Sequence, residues 1–300
     1  MASAAPTTQE FLFGLIEPAV LLSSAVYHYV IVCLEAVFKR GQPLAPLLRS
    51  REIRDEAFGR FWVNFSVRGN DDQQPDETQL VGSAALVPPL LARASGVVLD
   101  IGPGTGTQMP FLRSPAIRTI YGAEPCVGLH AQLRRRALSA GLDRKYHILP
   151  SGAEKKELLS ALEKLGVTTE QNPQGTGAAA GIFDTIVCVR VLCSVPDPAR
   201  TIADLYDLLR PGGKMLVVEH VVNPWWSAPR KGSFVGRLMQ AVYSWLGWSF
   251  FVGDCHLDRD TTAFLKQAAD KDGGWETVEL EQRWEWSVLP YVSGMLVKRS

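Results

Sequence analysis

No charge of either sign is in surplus in this chain of 300 residues, because 31 lysines and arginines balance 31 aspartates and glutamates. A nucleic-acid binder would carry a basic excess or face, so no nucleic-acid partner is expected. The five cysteines (Cys33, Cys126, Cys188, Cys193 and Cys255) are an odd number and contain no C-x-x-C pair. Neither a disulfide framework nor a zinc site is therefore expected, no metal is assigned, and a reduced, cytosol-facing protein fits best. There is no internal repeat. One long apolar stretch occurs; no lysine or arginine precedes it and no small-residue cleavage site follows it, so no signal peptide is expected.

That stretch runs from Phe11 to Phe38 and is almost wholly apolar, with Glu17, Pro18, His28 and Glu35 as interruptions. Its later part, Ala19–Phe38, reaches the roughly twenty residues that carry a helix across a bilayer core. Lys39, Arg40, Arg49, Arg51 and Arg54 follow it, so the positive-inside rule leaves the rest of the chain in the cytosol. Two other arrangements stay open: a hairpin bent at Pro18 within one leaflet, or an amphipathic helix capping a soluble domain. His28 and Glu35 share a helical face, as either a protein-facing stripe or the polar seam of an anchor requires.

Beyond the stretch, Glu52–Phe65 and Thr78–Ala94 read as helices separated by a polar loop over Gly69–Glu77. Elements then alternate: strands at Ile117–Ala123, Tyr146–Leu149, Phe183–Val189 and Lys214–Glu219, with helices at Val127–Ala140, Ala153–Leu165 and Asp197–Leu209. Alternation of this kind makes an α/β fold with a doubly wound, mostly parallel sheet. Gln171–Gly181 is a low-complexity surface insertion. The expected organisation is an apolar anchor or cap over 1–40, a helical extension over 41–95, and a ligand-binding domain over 96–300 with an aromatic segment at 221–260.

The most informative segment is Val97–Gly106, a β-branched run ending in Asp100 and followed by Gly102, Gly104 and Gly106 at alternate positions. Glycine there lets the backbone turn sharply and approach a ligand with N–H groups. A dinucleotide fingerprint needs a third glycine at position 107, where Thr107 stands. The acid followed by G-x-G-x-G resembles the S-adenosylmethionine (SAM) loop of class I methyltransferases. That resemblance implies a Rossmann-like, seven-stranded sheet with helices on both faces, preceded here by the apolar helix. Asp100, Gly102, Gly104, Thr105, Gly106 and the helix after them would hold the amino-acid end of the donor. Glu124, 24 residues after Asp100, suits the ribose hydroxyls. Gly152 stands where many class I enzymes carry an aspartate for the adenine amine, so Gly152, Ala153 and the neighbouring Ser151 must serve through backbone or hydroxyl. Val189 and Arg190 end the fourth strand beside the methionine moiety, without the carboxylates of a metal-dependent catechol enzyme. The segment Arg210-Pro211-Gly212-Gly213 with a strand ending in Glu219-His220 fits the methyltransferase fifth strand.

Leu192–Val195, Val218–His220, Trp248–Arg259 and the C-terminal Trp286, Pro290, Tyr291, Gly294 and Lys298 resemble the methyltransferase-like protein 7 group more closely. That resemblance implies membrane-associated enzymes of the endoplasmic reticulum or lipid droplet that methylate lipophilic thiols. Pro103, Arg190, His256 and the 171–181 insertion depart from the group, as would suit a divergent relative in secondary metabolism. Trp225, Trp226, Trp245, Trp248, Phe234, Tyr243, Phe250 and Phe251 would roof the acceptor pocket or meet a membrane. A thiol needs only a modest base and a hydroxyl a stronger one; His220 and His256 are the two candidates, with Glu219 orienting a neighbour. The expected activity is SAM-dependent methylation of a small lipophilic acceptor, thiol first and hydroxyl second. The alternatives are a carbon methyltransferase for a quinone- or polyketide-like metabolite, or a membrane-anchored scaffold without turnover.

Overall fold

A computed structural model describes residues 6–66, 77–167, 181–227 and 231–300. Most of the expected 171–181 insertion and of the 69–77 loop lies outside these residues. The chain forms two compact units. One comprises the described residues of Met1–Arg68, His220–Arg259 and Gln282–Tyr291, and the other those of Gly69–Glu219, Asp260–Glu281 and Val292–Ser300.

The second unit is built on a seven-stranded sheet: β1 (Gly96–Ile101), β2 (Ile117–Ala123), β3 (Tyr146–Leu149), β4 (Phe183–Val189), β5 (Leu209–His220), β6 (Thr277–Arg283) and β7 (Tyr291–Val297). The strand order is β3-β2-β1-β4-β5-β7-β6, which reverses direction of progress at β1 and β4 as in a doubly wound sheet. The pairs β1–β2, β1–β4, β2–β3 and β4–β5 are parallel. Gly212 and Gly213, early in β5, exchange backbone hydrogen bonds with Lys298 just past β7, so β7 runs antiparallel to β5. Apart from Asp100, Asp184 and Thr185, β1 and β4 are apolar, and Leu99, Phe183, Ile186, Val187 and Cys188 are fully buried, the pattern of a sheet covered on both sides. Helices α5 (His130–Ser139), α6 (Lys155–Glu163), α7 (Pro198–Leu208) and α10 (Thr261–Gln267) surround this sheet. Asp197 caps α7 by accepting from the Arg200 N–H at 3.0 Å, and Pro198 occupies the first helical position, where no N–H is needed.

Three expectations require correction. Thr78–Ala94 is not one helix: it forms 3-10 turns at Glu77–Gln79 and Gly82–Leu86 and a short α4 (Val87–Leu91). Gly82 at φ +59° and the Pro88-Pro89 pair prevent continuous α-helical bonding. The fifth strand begins five residues earlier than expected, at Leu209, and Arg210–Gly213 is a bulge within it, with Leu209 opposite Phe183 and Lys214 opposite Thr185. The glycine loop leads into turns and one 3-10 turn at Met109–Phe111 rather than an α-helix, because Pro110 removes a donor inside what would be the first turns.

The first unit is helical. α1 (Thr8–Leu34) opens on a capping box in which the Thr7 side chain accepts from the Glu10 N–H and the Glu10 carboxylate accepts from the Thr7 N–H. It continues through a π-helical turn, Glu35–Lys39. Then come α2 (Ala45–Leu48), α3 (Ser50–Ser66), α8 (Phe234–Trp245) and α9 (Trp248–Phe251). Val32 and Ala36 pack with Ile53 and Ala57 of α3 in a small apolar core.

Candidate functional site

The glycine loop starts from a buried acid. Asp100, fully inaccessible in β1, accepts hydrogen bonds from Tyr146 Oη (2.8 Å) and Gln108 Nε2 (3.2 Å). Burial pushes its carboxyl up to about 6, against the two hydrogen bonds and with help from the nearby Glu124 charge. Gly102, Gly104 and Gly106 all take left-handed φ values, +56°, +61° and +82°. At Gly102 the requirement is doubly strict, because a Cβ would lie 2.4 Å from Val191 Cγ2. No α-helix follows the loop, so the helix start expected after the glycines is absent.

Glu124 fastens the loop. Directly after β2 and only 5% exposed, it accepts from the Gly104 N–H through Oε2 (2.9 Å) and from the Cys126 N–H through Oε1 (2.8 Å). Burial raises its pKa while these two bonds oppose the rise. Each carboxylate oxygen has two acceptor directions, so one on each is left for hydroxyl donors. Two further polar atoms stand out: Thr105 Oγ1, in the glycine loop, and Ser151 Oγ, just past β3, are buried and have no hydrogen-bond partner among the described residues. Orphaned buried hydroxyls cost free energy that a polar ligand would recover. The loop therefore fits a ligand with hydroxyl and amino-acid groups, as S-adenosylmethionine has.

At the end of β3, Ser151 is buried and Gly152 and Ala153 are half-buried. The Gly152 N–H is taken by Glu157 Oε2 at 2.9 Å, so α6 delivers a carboxylate to the position where the sequence has no acid. Sequence reading passes over Glu157 because it lies five residues downstream; its place in the first turn of α6 is the only hint. Val189 ends β4 buried and opposite Val218. Arg190 follows at φ +57°, with its N–H bonded to the Val218 carbonyl (2.8 Å). Non-glycine residues take this conformation rarely, and such strain clusters at ligand sites. Glu219, fully buried in β5, accepts from the Val191 (2.8 Å) and Leu192 (3.0 Å) N–H groups and so fixes the loop that bears Val191.

In the helical unit the two histidines part company. His220 is buried, with Nε2 3.1 Å from Cys255 Sγ, and Trp248 donates its indole N–H to the same sulfur at 3.2 Å. The His220 ring meets Tyr291 edge-on at 6.2 Å. His256 is exposed between buried Cys255 and Leu257. The aromatic segment divides in the same way: Tyr243 and Trp248 are buried, whereas Trp226 and Trp245 are 77% and 84% exposed. Two buried amides pin the start of this segment. Asn223 donates to the carbonyls of Glu285 (2.8 Å) and Ser287 (2.9 Å). Gln240 donates to those of Val221 (3.2 Å) and Val288 (2.9 Å) while accepting from the Asn223 N–H (2.9 Å).

The family model described as "Methyltransferase domain" matches residues 82–280. The chain is 32% identical over 120 residues to the thiol S-methyltransferase TMT1B of Homo sapiens, a match covering 40% of this chain and 46% of that protein. It is 25% identical over 243 residues to the thiol S-methyltransferase TMT1A of Homo sapiens, covering 80% of this chain and 86% of that one. The TMT1B match thus spans less than half the relative's length, and the TMT1A match most of it. Among solved structures, an O-methyltransferase family protein from Burkholderia thailandensis superposes with a TM-score of 0.49 at 14% identity, over 96% of this chain and 71% of that chain.

Proposed function

Because the chain belongs to the methyltransferase-domain family, we propose that it transfers a methyl group to a small lipophilic acceptor, with a thiol preferred over a hydroxyl. S-adenosylmethionine is the methyl donor of this family. Asp100, Gly102, Gly104, Thr105, Gly106, Glu124, Gly152, Ala153 and Val189 are the residues we assign to holding it. Glu124 would serve twice, fastening the loop and accepting ribose hydroxyls, with Thr105 and Ser151 satisfied on binding. When bound, the donor supplies an electrophilic methyl on a sulfonium. The chain's own contribution is to orient the acceptor, exclude water and take a proton. The observation that carries the thiol reading is the match to TMT1A along 80% of the chain.

His220 is the base we assign, in preference to His256, because it is buried and already paired with a sulfur at 3.1 Å. A thiol is a few per cent thiolate near neutral pH, so an imidazole suffices to complete its deprotonation. Passing the methyl carbon to a thiolate would form one S–C bond as the sulfonium S–C bond breaks and a neutral thioether leaves; both charges would be lost, so a dry, aromatic environment would favour it. The apolar helix α1, long and apolar enough by length and composition to cross a membrane, supports membrane association through residues 11–38, with the remainder cytosolic. The test is an acceptor panel with the full chain and SAM, comparing an alkyl thiol, an aryl thiol, a phenol and a carboxylic acid. The reading predicts that thiols turn over fastest and that His220→Ala loses most of that rate while His256→Ala keeps it. Faster methylation of the phenol or acid, or full thiol turnover by His220→Ala, would overturn it.

A further inference from the structure

The helical unit carries two apolar helix faces on its outside. α1 is held along one side only. Pro18, Leu22, Ala25 and Val32 are buried, and His28 Nε2 accepts from Asn64 of α3 at 2.7 Å. α3 itself is charged: Arg54 pairs with Asp254 (2.8 Å) and Arg60 with Glu35 (2.8 Å). Charges of this kind are excluded from the acyl core, so a helix fastened along α3 does not thread a bilayer in this packing. The other side of α1 exposes Phe13, Ile16, Val20, Val30 and Leu34, and the π-helical turn after it exposes Phe38. Glu17 and Ser23 interrupt that side, which suits headgroup depth and not the bilayer centre.

α8 repeats the pattern. Gly236, Gln240 and Tyr243 face inward, while Phe234, Leu238, Val242 and Trp245 recur at intervals of three or four and are exposed. The two helices are joined, since Tyr243 Oη donates to the Leu15 carbonyl at 2.8 Å. Gly14 of α1 and Gly236 of α8 both abut Trp286 and Ser287. Exposed Lys39, Arg49 and Arg51 lie just beyond the apolar run; Lys39 pairs with Glu35 at 3.0 Å and Arg49 with Glu52 at 4.0 Å, so a modest positive charge, part of it shared with these acids, adjoins the apolar face. An indole as exposed as that of Trp245 belongs at a membrane interface.

We propose that a phospholipid surface is the partner of both faces: α1 lies in the plane of one leaflet, and α8 is a second lipid contact beside it. This rests on the membrane reading of residues 11–38 and adds α8 and the orientation to it. The experiment uses the full chain with phosphatidylcholine vesicles containing phosphatidylserine, and compares wild type with Leu238→Glu/Trp245→Glu and with Phe13→Glu/Val20→Glu. SAM titration of each variant reports retention of the fold. The expected result is that wild type floats with vesicles and that each pair of substitutions lowers vesicle partitioning about tenfold or more, as loss of apolar interfacial area requires. Trp245 emission, taken as the difference from Trp245→Phe, should be quenched by bromolipids. If the α8 pair partitions like wild type and the α1 pair does not, the α8 proposal fails while the membrane reading stands. If wild type does not float, or sediments as a dimer with its Trp245 shielded from vesicles, both fail.

Discussion

Replacing Glu124 by glutamine tests how the donor loop is held. The carboxylate accepts two backbone N–H groups, from Gly104 at 2.9 Å and Cys126 at 2.8 Å. Hydrogen bonds to a charged acceptor contribute roughly 1.5–3 kcal/mol each, against about 1 for neutral pairs. Glutamine keeps one neutral acceptor and turns an NH2 group toward the other N–H, so one bond weakens and one is lost. Relief from burying a charge offsets part of this, since burial already raises the Glu124 pKa. A net loss of about 2 kcal/mol in loop anchoring corresponds to roughly a 30-fold weaker donor complex, before any loss of ribose contact. Isothermal titration with SAM at pH 7.5 measures it, with a urea midpoint on each sample to separate loop effects from unfolding. Glu124→Asp, one methylene short of Gly104, should weaken binding as well. Donor affinity within about twofold of wild type for Glu124→Gln would refute the assignment, because anchoring bonds of this strength cannot vanish without a change in affinity.

Three further outcomes follow from the same geometry. Gly102→Ala should weaken donor binding, and adding Val191→Ala should restore only part of it, because the 2.4 Å clash is relieved while the φ of +56° is not; full rescue in titration would deny the backbone share. Asp100→Asn should stabilise the donor-free chain above pH 6. The folded pKa, about 6, lies above the ordinary 3.8, so Asp100 adds no penalty below about pH 4, becomes progressively destabilising up to about 6, and stays so above it. The two values imply up to about 3 kcal/mol at pH 7.5, vanishing near pH 4, in paired urea titrations. Glu157→Ala should raise the KM for SAM more than it lowers kcat if its carboxylate completes the β3 end; an unchanged KM would leave it a cap for the Gly152 N–H.

Much of the parallel sheet is legible in the sequence because its strands are nearly continuous apolar runs closed by turn residues. Ile117–Ala123, Tyr146–Leu149 and Phe183–Val189 are strands with those same ends. The acid, the three glycines and Glu124 are legible for a related reason: close backbone approach and a carboxylate at a strand end each demand a particular residue type. The missing helix after the loop is a different case, in which Pro110 outweighs the expectation carried by the motif. Glu157 could not be read from position, since its carboxylate arrives from α6 and not from β3 itself. The helical unit was least legible. Its parts come from the two ends and the middle of the chain, and contacts such as Gly14 with Trp286 leave no local periodicity to find. The aromatic segment hides its division for another reason: tryptophan is equally compatible with burial, as at Trp248, and with exposure, as at Trp245.

The most direct measurement is transfer of a labelled methyl group. The full chain is incubated with SAM bearing a deuterated methyl and with an equimolar aryl thiol and phenol, and the products are resolved by mass spectrometry. A methyltransferase with a thiol acceptor yields the deuteromethyl thioether, at a rate that Glu124→Gln depresses. Label on the phenol oxygen alone, or no labelled product despite donor binding, would contradict it.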